Sequence, residues 1–443
     1  MKAYWLQHAW LGSGRVEDDV LVTVDGERFA DVVPGVAAPA ATATRLPGLT
    51  VPGFANCHSH AFHRALRGRT QAERGTFWTW REQMYGLAQR LDPARYLRLA
   101  HAVYAEMAAA GIACVGEFHY LHHGAEGTPY ADPNAMGEAL IQAAREAGLR
   151  IALLDTCYLT AGIGRPPEEI QRRFSDGDAG RWAERVDALR DRHADAADVT
   201  VGAAVHSVRA VPRDQIGVVA AWAVQHGAPL HVHLSEQVAE NEACVQACGA
   251  TPTQVLDEAG ALGPRTSAVH ATHLTPGDVR TLGGSGTYAC LCPTTERDLA
   301  DGIGPSRALH EAGSALTLGS DSHAVVDMSE EMRAVELDER LHSQRRGHWR
   351  ADELLTAATS RGHASLGFAD AGMIAPGAWA DLVTFDPVTP RTAGTGGGLE
   401  MAVFAATAAD VSHVVASGRP VQRDGVGRAL ARVIDETLAG PPT

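Results

Sequence analysis

Lysine is almost missing from this 443-residue chain: Lys2 is the only one. That shortage closes three routes to catalysis. A Walker-type phosphate loop needs a lysine, a pyridoxal enzyme needs one for its Schiff base, and some two-metal hydrolases bridge their ions with a carbamylated one. None of these is built from position 2. Cysteine is scarce as well. The seven present (Cys57, Cys114, Cys157, Cys244, Cys248, Cys290 and Cys292) are odd in number and scattered, which is no disulfide framework. Cys244-x3-Cys248 and Cys290-x-Cys292 lack the second pair that a zinc ribbon requires, so the set reads as reduced, mostly buried thiols.

Long apolar runs are absent: none approaches the roughly 18–20 residues needed to span a bilayer. The opening Met1-Lys2-Ala3-Tyr4-Trp5-Leu6-Gln7-His8 shows neither the charged n-region nor the long h-region of a signal peptide, so a soluble cytoplasmic protein is expected. Positive charge is in deficit, with 38 Lys+Arg against 53 Asp+Glu, and 38 − 53 gives −15. So acidic a chain repels nucleic acid and anionic lipid, and neither is an expected partner. The Gly-rich stretch 394–398 has no strand-to-helix context, so it reads as a loop and not as a dinucleotide fingerprint.

Apolar residues, by contrast, make up 45% of the chain, ample for a large packed core. Eight short apolar runs recur at 49–58, 113–120, 151–158, 199–205, 230–234, 268–272, 287–292 and 315–320. Helical periodicity fills segments between them, for example 93–111, 134–148 and 213–227, each ended by Gly. Strands alternating with helices mean parallel βαβ units, and eight of them predict an α/β fold, a (β/α)8 TIM-like barrel. A doubly wound sheet is the alternative. The chain ends break the pattern. Residues 1–48 and 374–443 contain short strands and turns, such as 20–25, 380–385 and 411–417. Together they are expected to pair into one small β-sandwich-like domain, with the catalytic barrel of 49–373 inserted between them.

His58-Ser59-His60 follows the first barrel run directly, and two histidines at i and i+2 on an extended segment share a face. With 21 histidines in the chain, any one such pair is as easily a core or surface feature. Position is more telling. His58 and His60 end the first run, His231 and His233 the fifth, His270 falls in the sixth, and Asp321 follows the eighth. All of these stand where barrel strands meet the C-terminal mouth, the rim at which such folds keep their active sites. Three neutral imidazoles and one carboxylate suit Zn²⁺, with Fe²⁺ second, leaving a position open for water. The expected ligands are His58, His60, His233 and Asp321, with His231 a competing candidate deeper in the barrel. A bound cation lowers the pKa of water from about 15.7 to about 7. The proton must then move. Glu236, three residues past His233, is placed to carry it; His270 can polarise the reacting centre, and Asp321 can accept the water's proton.

His58-x-His60, His233-x2-Glu236, His270 and Asp321 in this order resemble the amidohydrolase superfamily, and within it the mononuclear deaminase branch. The missing lysine agrees with one metal. Further segments extend the resemblance over about residues 45–420: Pro52-Gly53-Phe54-Ala55-Asn56-Cys57, Phe77-Trp78-Thr79-Trp80-Arg81-Glu82-Gln83-Met84-Tyr85, Glu117-Phe118-His119-Tyr120 and His206-Ser207-Val208-Arg209. What it implies is hydrolytic deimination of a small dicarboxylate imino compound, N-formimino-L-glutamate, in histidine degradation. Arg81 and Arg209 would each clamp a carboxylate in bidentate fashion, and Tyr120 and His206 would complete the grip. The resembled enzymes usually carry Gln where this chain has His63, so His63 is read as a substitute donor. A homodimer is implied too. Two other readings stand beside this one. A ring aminohydrolase acting on a purine or triazine would favour an aromatic pocket over paired arginines. A metal-binding scaffold without activity would be expected to have lost Glu236 or His270, and both are present.

Overall fold

The computed structural model describes residues 1–71, 75 and 77–441. Its first four strands are β1 (Lys2–Trp10), β2 (Val16–Asp25), β3 (Arg28–Val33) and β4 (Thr44–Pro52). Eight more follow: β5 (Phe54–Ser59), β6 (Ile112–His119), β7 (Arg150–Cys157), β8 (Val199–Val205), β9 (Leu230–Leu234), β10 (Thr266–His270), β11 (Tyr288–Leu291) and β12 (Leu316–Leu318). The last three are β13 (Leu382–Phe385), β14 (Val411–Ala416) and β15 (Arg419–Pro420). Strands β5 to β12 pair in parallel in chain order, and a bridge between Ser59 and Asp321 joins the last to the first. This is the expected barrel. Every residue of β5, β6, β7, β9 and β10 is buried, as helices outside and side chains inside require of a parallel sheet. Helices Ala135–Ala147 and Arg213–His226 end where Gly148 and Gly227 take left-handed φ of 81° and 60°.

The two chain ends meet in one mixed sheet of seven strands, ordered β15-β14-β13-β4-β1-β2-β3, in which only β1 and β4 run parallel. Tyr4, Leu6, Val20, Val22, Phe29, Leu46, Leu382 and Val415 form its own apolar cluster. The first apolar run divides: 49–52 ends β4 in this sheet, and 54–59 is the first barrel strand. The break is Gly53, where a Cβ would lie 2.6 Å from the Cβ of Asp381 and 2.9 Å from that of Ala113. Beyond β15 the chain leaves the sheet. Helix Val426–Ala439 buries Leu430 and Ile434 and lies along Pro93–Ala109, and Arg95 Nη1 donates to the Pro441 carbonyl at 2.8 Å. Among the described residues no helix is long and apolar enough to cross a membrane, and all seven cysteines are free.

The barrel seam needs side-chain help because β12 has only three residues. Asn56 supplies it: its amide donates to Ser320 Oγ at 2.7 Å and accepts from the Ser320 N–H at 2.9 Å. Asp321 N–H donates to the His58 carbonyl at 2.9 Å, and His60 N–H to the Asp321 carbonyl at 3.2 Å. Gly319 permits this approach, since a Cβ there would stand 2.7 Å from His58 Cβ and 2.9 Å from His58 N and O. Gly319→Ala is therefore expected to push His58 and Asp321 apart and weaken metal retention at least tenfold, measured by competition with a chromogenic chelator. Unchanged retention would mean that the seam yields freely.

Candidate active site

The seam brings the histidines together. His60 Nδ1 donates to the Phe118 carbonyl and His233 Nδ1 to the His206 carbonyl, each at 3.0 Å, which turns both Nε2 lone pairs inward. His233 Nε2 lies 3.1 Å from His58 Nε2, and Asp321 Oδ1 lies 3.4 Å from His58 Nε2 and 3.3 Å from His60 Nε2. Burial, with neighbouring imidazoles second, holds His60 down to about 3 and His233 well below its ordinary value; burial also lowers His58. Burial alone would raise Asp321, but His58, His270 and His60 hold its carboxyl well below the usual range. Neutral lone pairs and a carboxylate aimed at one point repel each other unless a cation lies between them. Ligand atoms on metal bonds of 2.0–2.1 Å stand about 3.3 Å apart in a tetrahedron, which these separations match. The donor set fits a divalent metal.

The sequence-selected residues gather here. Atoms of His58, His233, His270 and Asp321 lie within 4.8 Å of one another, and so do atoms of His60, His63 and Asp321. His231 is fully buried, and neither ring nitrogen finds a hydrogen-bond partner among the described residues. A third buried group, His119, His122 and Asp155, has comparable spacing, but Arg185 already grips Asp155 with two bonds of 2.8 Å. A guanidinium occupies the place a cation would take.

A cavity opens over the centre, and His60, His63, Arg81, Tyr120, His206, Arg209, His233, Glu236, His270 and Asp321 all line it. Burial and Asp321 push the Glu236 carboxyl up, against the pull of His270 and Arg209. His270 Nδ1 meets Glu296 at 3.4 Å and its Nε2 lies 3.9 Å from Asp321 Oδ2. Burial would lower His270, but Glu236, Glu296 and Asp321 together raise it well above its ordinary value. His63 Nε2 pairs with Tyr120 Oη at 2.9 Å. Backbone strain is concentrated at this rim. Ser235, His270, Ala271, Asp321 and His323, all just past or ending β9, β10 and β12, take φ of 51°, 67°, 49°, 42° and 59°. Each such turn costs about 1–3 kcal/mol outside glycine and is held by its surroundings.

Several contributors escaped the sequence. Trp80, Met84, Tyr85, Tyr158 and Phe174 also line the cavity, so it is aromatic as well as arginine-bearing. Beneath it, Glu117 fastens the turn that carries His58 and His60, accepting from Ser59 Oγ and Ala61 N–H, each at 2.7 Å. Ser59 Oγ also meets His323 Nε2 at 2.9 Å, tying that turn to the one carrying Asp321. Burial pushes Glu117 up to about 7 against these bonds.

Residues 49–421 match the amidohydrolase family, and the chain belongs to it, a hydrolase acting on carbon–nitrogen bonds. Formimidoylglutamate deiminase of Pseudomonas aeruginosa is 37% identical over 452 aligned residues, 98% of this chain and 98% of that one. The 8-oxoguanine deaminase of the same organism is 30% identical over 87% of this chain and 85% of its own. A crystal structure of an amidohydrolase from Brucella melitensis, 31% identical, superposes with a TM-score of 0.87 over 99% of this chain and 100% of that one.

Proposed function

We propose that this chain hydrolyses N-formimino-L-glutamate to N-formyl-L-glutamate and ammonia. One divalent metal, Zn²⁺ before Fe²⁺, would be held by His58, His60, His233 and Asp321. One observation carries the reading: Arg81 and Arg209 share a single cavity with the His/Asp centre. A neutral ring needs no guanidinium, whereas a substrate with two carboxylates entering a chain of charge −15 needs local positive charge. The aromatic lining alone would suit a ring as well. The 37% identity with formimidoylglutamate deiminase across nearly all of both chains supports the acyclic substrate.

A divalent cation held there lowers the pKa of water from about 15.7 to about 7, which supplies a nucleophile at neutral pH. The side chains do the rest. Arg81 and Arg209 hold the carboxylates, Tyr120 and His206 complete the grip, and His63 serves as a substitute donor beside them. Water oxygen adds to the formimino carbon, and Asp321 accepts the first proton. Glu236 delivers protons to the terminal nitrogen, and His270, braced by Glu296, polarises the reacting centre. The carbon–nitrogen bond then breaks. Both hydrogens of the water end on ammonia, and its oxygen stays as the formyl oxygen. A cytoplasmic location and a homodimer go with this reading, and sedimentation measures the second.

The test is ammonia release by the metal-loaded protein from N-formimino-L-glutamate, with guanine and adenosine as comparators. Turnover of the imino acid alone is expected, lost on chelation and restored by Zn²⁺. Turnover of a purine alone would replace this reading with the ring aminohydrolase.

A further inference from the structure

Gln171, fully buried in the short helix Ile170–Phe174, is not itself one of the residues that line the cavity, yet it bonds two that do and fixes how their hydroxyls face it. Its Oε1 accepts the Glu168 N–H at 2.8 Å. A flipped amide would set donor against donor there, so the orientation is determined. Its Nε2 therefore donates twice, to Tyr85 Oη at 2.9 Å and to Tyr158 Oη at 3.0 Å. Tyr85 Oη accepts a second bond, from Arg81 Nε, at 2.6 Å.

Amide and guanidinium N–H groups cannot accept, and a phenol oxygen takes about two donors. Tyr85 Oη is thus full as an acceptor, so the Tyr158 hydrogen cannot point at it. The Tyr85 hydrogen either turns to the second lone pair of Tyr158 or faces the cavity. In the first arrangement the pair shows the cavity one donor, the Tyr158 hydrogen; in the second it shows two donors and the lone pair that Tyr158 keeps; Arg81 and Arg209 flank it in both. Among the described residues neither hydroxyl donates to a carbonyl or carboxylate.

We propose that Tyr85 and Tyr158, with Tyr85 barred from accepting by Gln171 and Arg81, are the specificity element that admits a carboxylate and disfavours the carboxamide of the same shape. This rests on the imino-dicarboxylate reading and adds to it. A carboxylate offers only acceptors and satisfies every donor. A carboxamide that turns its NH₂ toward Tyr85 or a guanidinium leaves a buried donor unpaired, the kind of mismatch that a polar site rejects most strongly.

The experiment compares N-formimino-L-glutamate with its α-amide and its γ-amide, and separately measures glutarate binding by calorimetry. In the wild type one of the two amides is expected to be disfavoured at least 100-fold in kcat/KM. Tyr158→Phe and Tyr85→Phe should each raise KM for the acid roughly 10–100-fold with kcat nearly unchanged, the range for hydrogen bonds to a charged group. Both should weaken glutarate by a similar factor and narrow the acid-to-amide ratio. The single variants remove one oxygen each, and an unchanged melting temperature verifies their folding. Gln171→Leu should narrow the same ratio, although Gln171 itself touches no substrate. Wild-type values of KM, glutarate affinity and acid-to-amide ratio in the folded tyrosine variants would overturn the proposal. Wild-type protein that binds glutarate through these tyrosines yet releases no ammonia would overturn the reaction instead and leave the carboxylate site standing.

Discussion

Glu236→Gln should lower ammonia release by roughly 10²–10⁴-fold, the usual contribution of a positioned acid–base group, while the protein keeps its full complement of metal. The separation follows from where Glu236 sits. It lines the cavity one residue beyond the strained turn at Ser235, and its carboxylate is not among the atoms that cluster within 4.8 Å around Asp321. Gln keeps the volume and the capacity for hydrogen bonding but cannot move a proton between water and nitrogen. Stability should not fall. Glu236, Glu296 and Asp321 crowd around His270, and burial followed by Glu236 pushes Asp301 up to about 9. Removing one charge from that group relieves repulsion, so the melting temperature is expected to stay level or rise. Elemental analysis and calorimetry on the same preparation check both statements. Asp321→Ala gives the contrast and should lose metal and turnover together. Wild-type turnover in Glu236→Gln would remove Glu236 from the reaction.

The barrel was legible because parallel strands buried on both faces write themselves as uninterrupted apolar runs. The same property concealed the switch at Gly53. Apolar character runs straight through 49–58, so nothing in hydropathy marks the step from β4 in the end sheet to β5 in the barrel. The histidines were legible through one rule, that functional side chains stand at the C-terminal ends of barrel strands. Applied without a preference for metal ligands, that rule also reaches Tyr158, directly after β7 as His206 is directly after β8. Tyr85 ends the segment that supplies Arg81, four residues on, where a helix puts both on one face. Gln171 and Glu117 carried no comparable signal. Gln171 acts from a five-residue helix in a long connection, and Glu117 is a charged residue inside an apparently apolar run. Their roles come from hydrogen bonds to residues that are distant in sequence, and no local period encodes such partners.

The largest effect on stability is expected at the opposite end of the barrel. Arg150 opens β7 and Asp381 precedes β13; their side chains are each 1% exposed and meet at 2.6 Å. Asp381 also accepts the Ser417 N–H at 2.7 Å, and the guanidinium lies 4.5 Å from the ring centre of Trp379. One ion pair thus joins the barrel floor to the end sheet. Asp381→Ala leaves a buried guanidinium without its counter-ion, and removing one partner of such a pair costs about 3–5 kcal/mol. Its chemical-unfolding midpoint should fall accordingly. The pair itself is a different matter, since two desolvated charges gain little over apolar residues of similar volume. Arg150→Met combined with Asp381→Leu should therefore recover most of the loss, and the coupling between the two sites should be large in a double-mutant cycle. Turnover below the unfolding range should persist in all of these variants. The eight residues of β7 put about 25 Å between Arg150 and the cavity at its far end. A single variant as stable as wild type would show that water reaches Arg150, and the clamp would then contribute nothing.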